Sequence, residues 1–408
     1  MSQAADLDRQ DPLAPLRQRF LLPDGQAYLD GNSLGALPAH VPGVVERALR
    51  EQWGGELIAA WNSHDWVGLP LRVGERIAPL IGAASGQVVC ADSISVNLFK
   101  QLCAALLLTE RRVVLTVDGD FPTDAYIAQG LQSLLGDARC TWRAVPAEQL
   151  TAALDEDVAV LLLTQVNYRS GELHDMRELT AAAQRVGALT LWDLAHSAGA
   201  LPVELDDCGV DMAVGCGYKY LNGGPGAPAF VYLNQRHHAT AQQPLSGWFG
   251  HASPFDFSAD FEPAAGVERF QAGTPPILSM LSLEAALDVF DDVSVAALRA
   301  KSLALSDFFL ARLAALGVTD TVTCITPIEH ARRGSQISLR HASAWGISQA
   351  LIEAGVIVDF RAPDVVRFGF APLYNRFVDA EKAATVLADI LADERYRAPR
   401  FSSRARVT

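Results

Sequence analysis

Lysine is almost missing from this chain. Of 408 residues, 33 are basic, and only four of these are lysines: Lys100, Lys219, Lys301 and Lys382. Arginine carries the remaining positive charge, and a guanidinium stays protonated and forms no stable Schiff base. Covalent amine chemistry is therefore confined to four positions. Cysteine is also sparse. Cys90, Cys103, Cys140, Cys208, Cys216 and Cys324 are scattered, with no CxxC spacing to suggest zinc. A chain of this size needs no disulfide framework. Long apolar runs are lacking too. Stretches such as Val158 to Leu163 are far too short to span a bilayer. The opening MSQAADLDRQ lacks the apolar core of a secretory signal. A net charge of −14 disfavours nucleic acid and anionic membrane as partners. It leaves room for a small anionic ligand, since local arginines can form a cationic pocket. A cytoplasmic protein is expected, with no metal site.

The length implies two or three domains. Residues 1–50 read as an arm, a turn at Asp30 to Ser33 and a helix from about Pro42, packing with a smaller domain. Residues 51–275 read as a large domain. Within it a helix over Ser93 to Leu108 and another over Met176 to Val186 alternate with short apolar strands. The strands are placed at Arg112 to Val117, Val158 to Thr164, Ala188 to Trp192, Val210 to Val214 and Ala229 to Leu233. Strands alternating with helices predict an α/β fold with a mostly parallel central sheet covered by helices on both faces. After Pro275 and Pro276 the texture changes to long helices over Ile277 to Phe290 and Val295 to Leu316, then a mixture. Residues 276–408 read as a smaller α+β domain. Its tail from about Tyr396 is expected to be disordered. Lys301 and Lys382 fall in helix-like stretches and read as surface charges.

Five stretches carry chemistry. In Gly215 to Gly226 a lysine lies between two tyrosines, among five glycines, just past a buried strand. Glycine permits tight turns and close backbone approach to a ligand. Lysine condenses with aldehydes. The plain alternative is an ordinary loop lysine. In Leu191 to Ser197, Asp193 falls at the carboxyl end of a strand, where open α/β sheets bind ligands. An aspartate there can hold a pyridine nitrogen protonated, or it can simply cap a helix. His196 is either beside that ring or at a phosphate, or a structural histidine. Ser93 to Leu98 opens a helix with small hydroxyl residues, a cup suited to phosphate. Asp118 to Asp124 follows a strand and offers Phe121 for stacking and Asp124 for a polar ring substituent. Arg367 sits inside an apolar strand, which is costly unless the charge is paired. Its partner is either a substrate carboxylate, held bidentately, or a structural salt bridge.

Eight colinear stretches together resemble kynureninase, of the aspartate-aminotransferase fold group (fold type I). They are YLDGNSLG (Tyr28 to Gly35), SVNLF (Ser95 to Phe99), FPTDAYIAQGL (Phe121 to Leu131), WDLAHSAGA (Trp192 to Ala200), GCGYKYLNGGPGAP (Gly215 to Pro228), GWFGH (Gly247 to His251), GTPPIL (Gly273 to Leu278) and RFGFAPLYN (Arg367 to Asn375). The resemblance implies pyridoxal 5′-phosphate (PLP) bound covalently at Lys219, with Asp193 at its ring nitrogen and His196 close by. It implies Ile94, Ser95, Tyr218, Trp248 and Thr274 around the cofactor. It also places Phe121 on the ring, with Pro122, Thr123, Asp124 and Thr164 nearby. Catalytic roles fall to Lys219, Tyr218 and Asp193. Arg367, Trp61, Asn32, Ser33 and Gly273 would bind substrate. The implied activity is hydrolytic cleavage of L-kynurenine to anthranilate and L-alanine in tryptophan catabolism. A bulky Trp61 favours the unmodified substrate over its 3-hydroxy form. The family is homodimeric with shared sites, Trp248 and Thr274 coming from the partner. The rival readings are a cysteine desulfurase, for which only Cys324 offers a nucleophile in the C-terminal region, an aminotransferase, or a non-catalytic binding module.

Overall fold

The computed structural model describes residues 2–404. Its main sheet has seven strands: β1 (Val88–Cys90), β2 (Val113–Val117), β3 (Thr141–Val145), β4 (Val158–Thr164), β5 (Leu189–Asp193), β6 (Met212–Cys216) and β7 (Ala229–Leu233). Their spatial order is β1-β7-β6-β5-β4-β2-β3. The five strands from β6 to β3 run parallel, and β7 is antiparallel to both of its neighbours. This is the mostly parallel α/β sheet expected from sequence. Every residue of β2, β4, β6 and β7 is buried, as strands covered on both faces require. Alternation divides the two faces. In β4, Val160 and Leu162 join one apolar core, and Leu161 and Leu163 join the other. Strand β3 escaped the sequence reading because it is an edge strand, half-buried throughout, with the mixed sequence Thr-Trp-Arg-Ala-Val.

The longer helices are α1 (Gln3–Gln10), α2 (Val41–Arg47), α3 (Leu69–Ile77), α4 (Ile94–Leu107), α5 (Pro122–Leu135), α6 (Met176–Arg185), α7 (Ile277–Ala286), α8 (Val295–Ala315), α9 (Ala344–Glu353) and α10 (Phe377–Ala392). Among the described residues no helix is long and apolar enough to cross a membrane. A second, antiparallel sheet has β8 (Thr323–Cys324), β9 (Gln336–Arg340), β10 (Asp359–Arg361) and β11 (Val365–Gly369) in the order β8-β9-β11-β10. Side chains of α8, α9 and α10 cover it in a separate apolar core. The N-terminal arm is stitched to this part. Ala4 and Leu29 enter its core, and Ala27–Tyr28 pair in parallel with Val356–Ile357. Helix α7 sends Met280, Leu281 and Leu283 into the core under the large sheet. Within α8 the allegiance changes, with Leu298 in the large core and Leu305, Phe308, Phe309 and Leu313 in the small one.

Two expectations are overturned. Lys301 is not a surface charge but only 7% exposed, with its ammonium 2.7 Å from Asp11 on the arm. A buried lysine stays charged only when paired, and the partner lies almost 300 residues away, invisible to local pattern. The tail from Tyr396 is also not disordered over its described part. Tyr396 and Phe401 are buried in the small core, so two aromatic side chains anchor an arginine-rich segment. Residues 405–408 of that tail lie outside the described residues.

Candidate active site

The chain runs outward from β2 to β3, then returns to the opposite side of β2 as β4. The loops leaving β2 and β4 therefore diverge, opening a crevice at the carboxyl ends of the parallel strands. A cavity of about 260 Å³ occupies it. Its walls come from the tips of β4, β5 and β6, the loop after β2 and the first turn of α4.

Helix α4 begins at this wall. Ser93 caps it, its side chain accepting from the Val96 N–H. Ser93, Ile94 and Ser95 line the cavity. A first turn carries N–H groups without intrahelical partners and the positive end of the dipole, an anion-binding arrangement. Phe121, in the loop after β2, and Thr123, in the first turn of α5, also line the cavity. Phe121 meets Tyr168 edge to face at 5.3 Å. Thr164 is tied to the same loop, its hydroxyl donating to Asp120 at 2.7 Å.

Lys219 enters from the glycine loop after β6. That loop closes on itself, with the Gly223 N–H donating to the Gly217 carbonyl at 2.8 Å. The N-terminal arm clamps it from outside. Gly35 N–H donates to the Tyr218 carbonyl at 2.8 Å, and a Cβ on Gly35 would stand 2.2 Å from the Lys219 carbonyl. Only glycine fits there, which explains the terminal residue of YLDGNSLG. The Lys219 ammonium lies 3.1 Å from His196 Nε2 and 5.7 Å from the centre of the Tyr218 ring. Burial first, then Lys219, holds His196 well below the usual imidazole range. A neutral His196 accepting from Lys219 on Nε2 carries its proton on Nδ1, and that buried nitrogen has no partner among the described residues.

Asp193, at the tip of β5, lines the same cavity and is 3% exposed. Its Oδ1 accepts the Ala195 N–H at 2.7 Å, a local turn rather than a helix cap. Burial pushes its carboxyl up to about 6, and Lys219 pulls in the other direction. Asp124 is also fully buried, and among the described residues neither of its oxygens is bonded. Burial, followed by the charges of Asp193 and Asp120, keeps Asp124 well above the usual carboxylate range. Asp120, Tyr168 and Cys216 were not singled out from sequence. Asp120 and Cys216 stood inside motifs already noted, but nothing local to Tyr168 marks it.

The structure does not bring every expected residue here. Arg367 is fully buried, and its Nε donates to Asp359 Oδ1 at 2.7 Å while Nη2 bonds Asp359 Oδ2. The structural salt bridge weighed from sequence is the arrangement found, with the fork taken by a carboxylate of the chain itself. Ser33 donates to the same Asp359 at 2.5 Å. Asn32 is buried against Gln336 at 3.5 Å. Asp30, beside them, is pushed up to about 7 by burial and then by Asp359. Trp61 lies elsewhere, edge-on to Trp66 at 5.6 Å and tilted over Phe249 at 6.1 Å. Trp248, 39% exposed, packs on Phe249 at 4.5 Å. Gly273 and Thr274 are exposed. These four stand outside the cavity of the single chain.

The arrangement fits PLP. A buried aspartate lines the cavity with one oxygen unpaired among the described residues, a helix terminus with N–H groups lacking intrahelical partners borders it, and one lysine lines the same cavity. Comparisons with known proteins agree. A family model described as the kynureninase C-terminal domain matches residues 298–387. A kynureninase of Burkholderia pseudomallei is 50% identical, covering 100% of this chain and 99% of its own. One from Deinococcus radiodurans is also 50% identical, covering 96% of each. Among solved structures, a mutant of C-DES with glycine covalently linked to its PLP cofactor aligns with a TM-score of 0.75 at 20% identity, covering 91% of this chain and 99% of that one. A cysteine desulfurase from Thermococcus onnurineus aligns at 0.74 and 19% identity, covering 96% and 99%. At such identities these two bear on the fold alone.

Proposed function

The chain belongs to the kynureninase family, and from that premise we propose that the crevice at the strand tips is where its PLP cofactor sits and L-kynurenine is cleaved. The activity is that of a hydrolase of carbon–carbon bonds in ketonic substances, splitting the Cβ–Cγ bond of L-kynurenine to give anthranilate and L-alanine. The observation that carries the site is the meeting of Lys219 and Asp193 on one cavity beside the first turn of α4.

When bound, the cofactor supplies an electron sink adjacent to the substrate Cα. Lys219 Nζ would hold it covalently and, once displaced, move the proton at Cα. Asp193 would face the ring nitrogen and keep it protonated. The N–H groups of Ile94 and Ser95 would hold the phosphate. Phe121 would pack on the ring, held in place by Tyr168, with Pro122 beginning the helix behind it. Burial raises the Tyr218 phenol, so it keeps its proton and acts as a donor beside Lys219. Anthranilate fluoresces, so its release from L-kynurenine by purified protein tests the reading directly. No release with cofactor bound would sink it. In the same assay Tyr218→Phe should turn over about 10- to 100-fold more slowly with cofactor retained, the modest end of proton-transfer effects. Full speed would remove Tyr218 from the mechanism.

A homodimer with shared sites is proposed as well. What supports it is an apolar surface running from Trp53, Leu57 and Ile58 (80% exposed) through Trp61, Ile277 and Leu278, and across Phe249 to Trp248, Phe255 and Phe257. Exposed apolar surface of this extent marks an interaction site. It also holds Trp61 and Trp248, the expected site residues that the single chain leaves outside its cavity. Light scattering should give twice 43.8 kDa. Ile58→Glu should shift the mass toward the monomer and lower activity together. A monomer at all concentrations, fully active, is the contrary result.

A further inference from the structure

One face of α4 carries a buried polar seam. Asn97, Lys100 and Gln101 stand at i, i+3 and i+4, which makes them neighbours on the helix surface, and all three are fully buried. Each reaches a main-chain carbonyl. Asn97 Nδ2 donates to Ala91 at 2.8 Å, and Gln101 Nε2 donates to Tyr232 at 2.7 Å. The Lys100 ammonium donates to the Phe270 carbonyl, and also to Asp92 Oδ2 at 2.7 Å. Asn97 and Lys100 thus reach backward, to the two residues that lead into their own helix.

Those two residues deliver the chain to the first turn of α4. Asp92 directly precedes the cap Ser93, and Ser93, Ile94 and Ser95 line the cavity. Asp92 has a left-handed backbone, with φ of +48°. A residue with a side chain keeps that conformation only where its surroundings hold it. Two backbone bonds to Ala229 of β7 help: the Ala91 N–H donates to the Ala229 carbonyl at 2.8 Å, and the Ala229 N–H donates to the Asp92 carbonyl at 2.9 Å. Lys100 adds the side-chain restraint.

Asp92 also carries an awkward charge for its place. A carboxylate beside a helix N-terminus is drawn to the same positive end that attracts a phosphate, and the two anions repel each other. Lys100 sets a positive charge against that carboxylate. Burial lowers the Lys100 ammonium and Asp92 opposes the shift. This lysine does not line the cavity and has no part in the proton transfers above.

The geometry points to Lys100 as a positioning residue that fixes and neutralises Asp92, so that the first turn of α4 binds the cofactor's phosphate without a competing anion. The inference rests on the cofactor-site reading above and concerns its phosphate end.

The test uses the purified full-length chain in equilibrium dialysis against PLP or pyridoxal. Both aldehydes can condense with Lys219, and they differ only in the phosphate. The wild type should prefer PLP. Lys100→Met should weaken PLP about 10- to 100-fold, the range for a lost hydrogen bond to a charged group, and leave pyridoxal nearly unchanged. The Asp92 side chain is 29% exposed, so the variant leaves that carboxylate in reach of water rather than buried alone. Lys100→Gln, which keeps a donor and drops the charge, is the second variant and should show the same PLP-selective loss. Adding Asp92→Asn to Lys100→Met should restore part of the PLP affinity, because the unopposed carboxylate is gone. A lysine that only supports packing predicts no such recovery. Unchanged PLP affinity, equal losses for PLP and pyridoxal, or no recovery in the double variant overturns the proposal. A wild type that binds neither aldehyde refutes the cofactor site itself, whereas equal losses refute only Lys100.

Discussion

Lys219→Ala is expected to abolish anthranilate release, a loss on the order of 10⁴-fold or more, since it removes both the cofactor's attachment and the base at Cα. No other lysine can substitute. Lys100 is fully buried, 2.7 Å from Asp92 and bonded to the Phe270 carbonyl. Lys301 is held by Asp11. Lys382 donates to the carbonyls of Gly25 and Gly355 at 2.6 and 3.2 Å. None of the three lines the cavity. The Lys219 side chain has His196 as its only hydrogen-bond partner among the described residues, so the variant should melt within a few degrees of the wild type. Borohydride reduction followed by mass spectrometry gives the second readout. The cofactor's mass should sit on the peptide containing Lys219 and vanish in the variant. Its appearance on another lysine, or activity surviving in Lys219→Ala, would refute the assignment.

Asp193→Asn is expected to lower kcat by about 10²- to 10³-fold, the scale of removing one partner from a buried charge pair. The substitution is nearly isosteric. The amide oxygen can still accept the Ala195 N–H, so the local turn survives and the effect reads the charge. The sign with pH follows from the same geometry. Burial raises the carboxyl to about 6, with Lys219 opposing, and only the ionised form stabilises a protonated ring nitrogen. Turnover should therefore rise with pH through a limb near or below 6, and a cationic ring bound opposite would move that limb lower. In Asp193→Asn the limb should be missing. A variant with wild-type kcat, or one that keeps the acid limb, would place the ring nitrogen against some other group. Asp124 is the nearest rival, yet it does not line the cavity, both of its oxygens are buried, and burial with the charges of Asp193 and Asp120 disfavours its ionised form.

Much of this was legible along the chain because it is local. Asp193 stands at the end of an apolar run, and such runs become buried strands whose tips bear ligands. Ser93 precedes a helical pattern and caps it. Lys219 is ringed by glycines because the loop must turn back on Gly217 and admit Gly35. Chain order, element type and the scarcity of lysine were enough to nominate the covalent residue and its acid before any fold was in view.

What the chain alone did not decide is who pairs with whom. Arg367 had two candidate partners along the chain, a substrate carboxylate or an acid of its own, until strand register set Asp359 opposite it. Lys301 looked solvated until α1 and the following turn brought Asp11 alongside. Trp61 looked like a residue of the same crevice, and the folded chain places it, half-buried, beside Trp66 and Phe249. Each outcome depends on contacts between segments remote in sequence. Periodicity says which face a side chain occupies, but the electrostatic state of that side chain is set by whatever the fold places across from it.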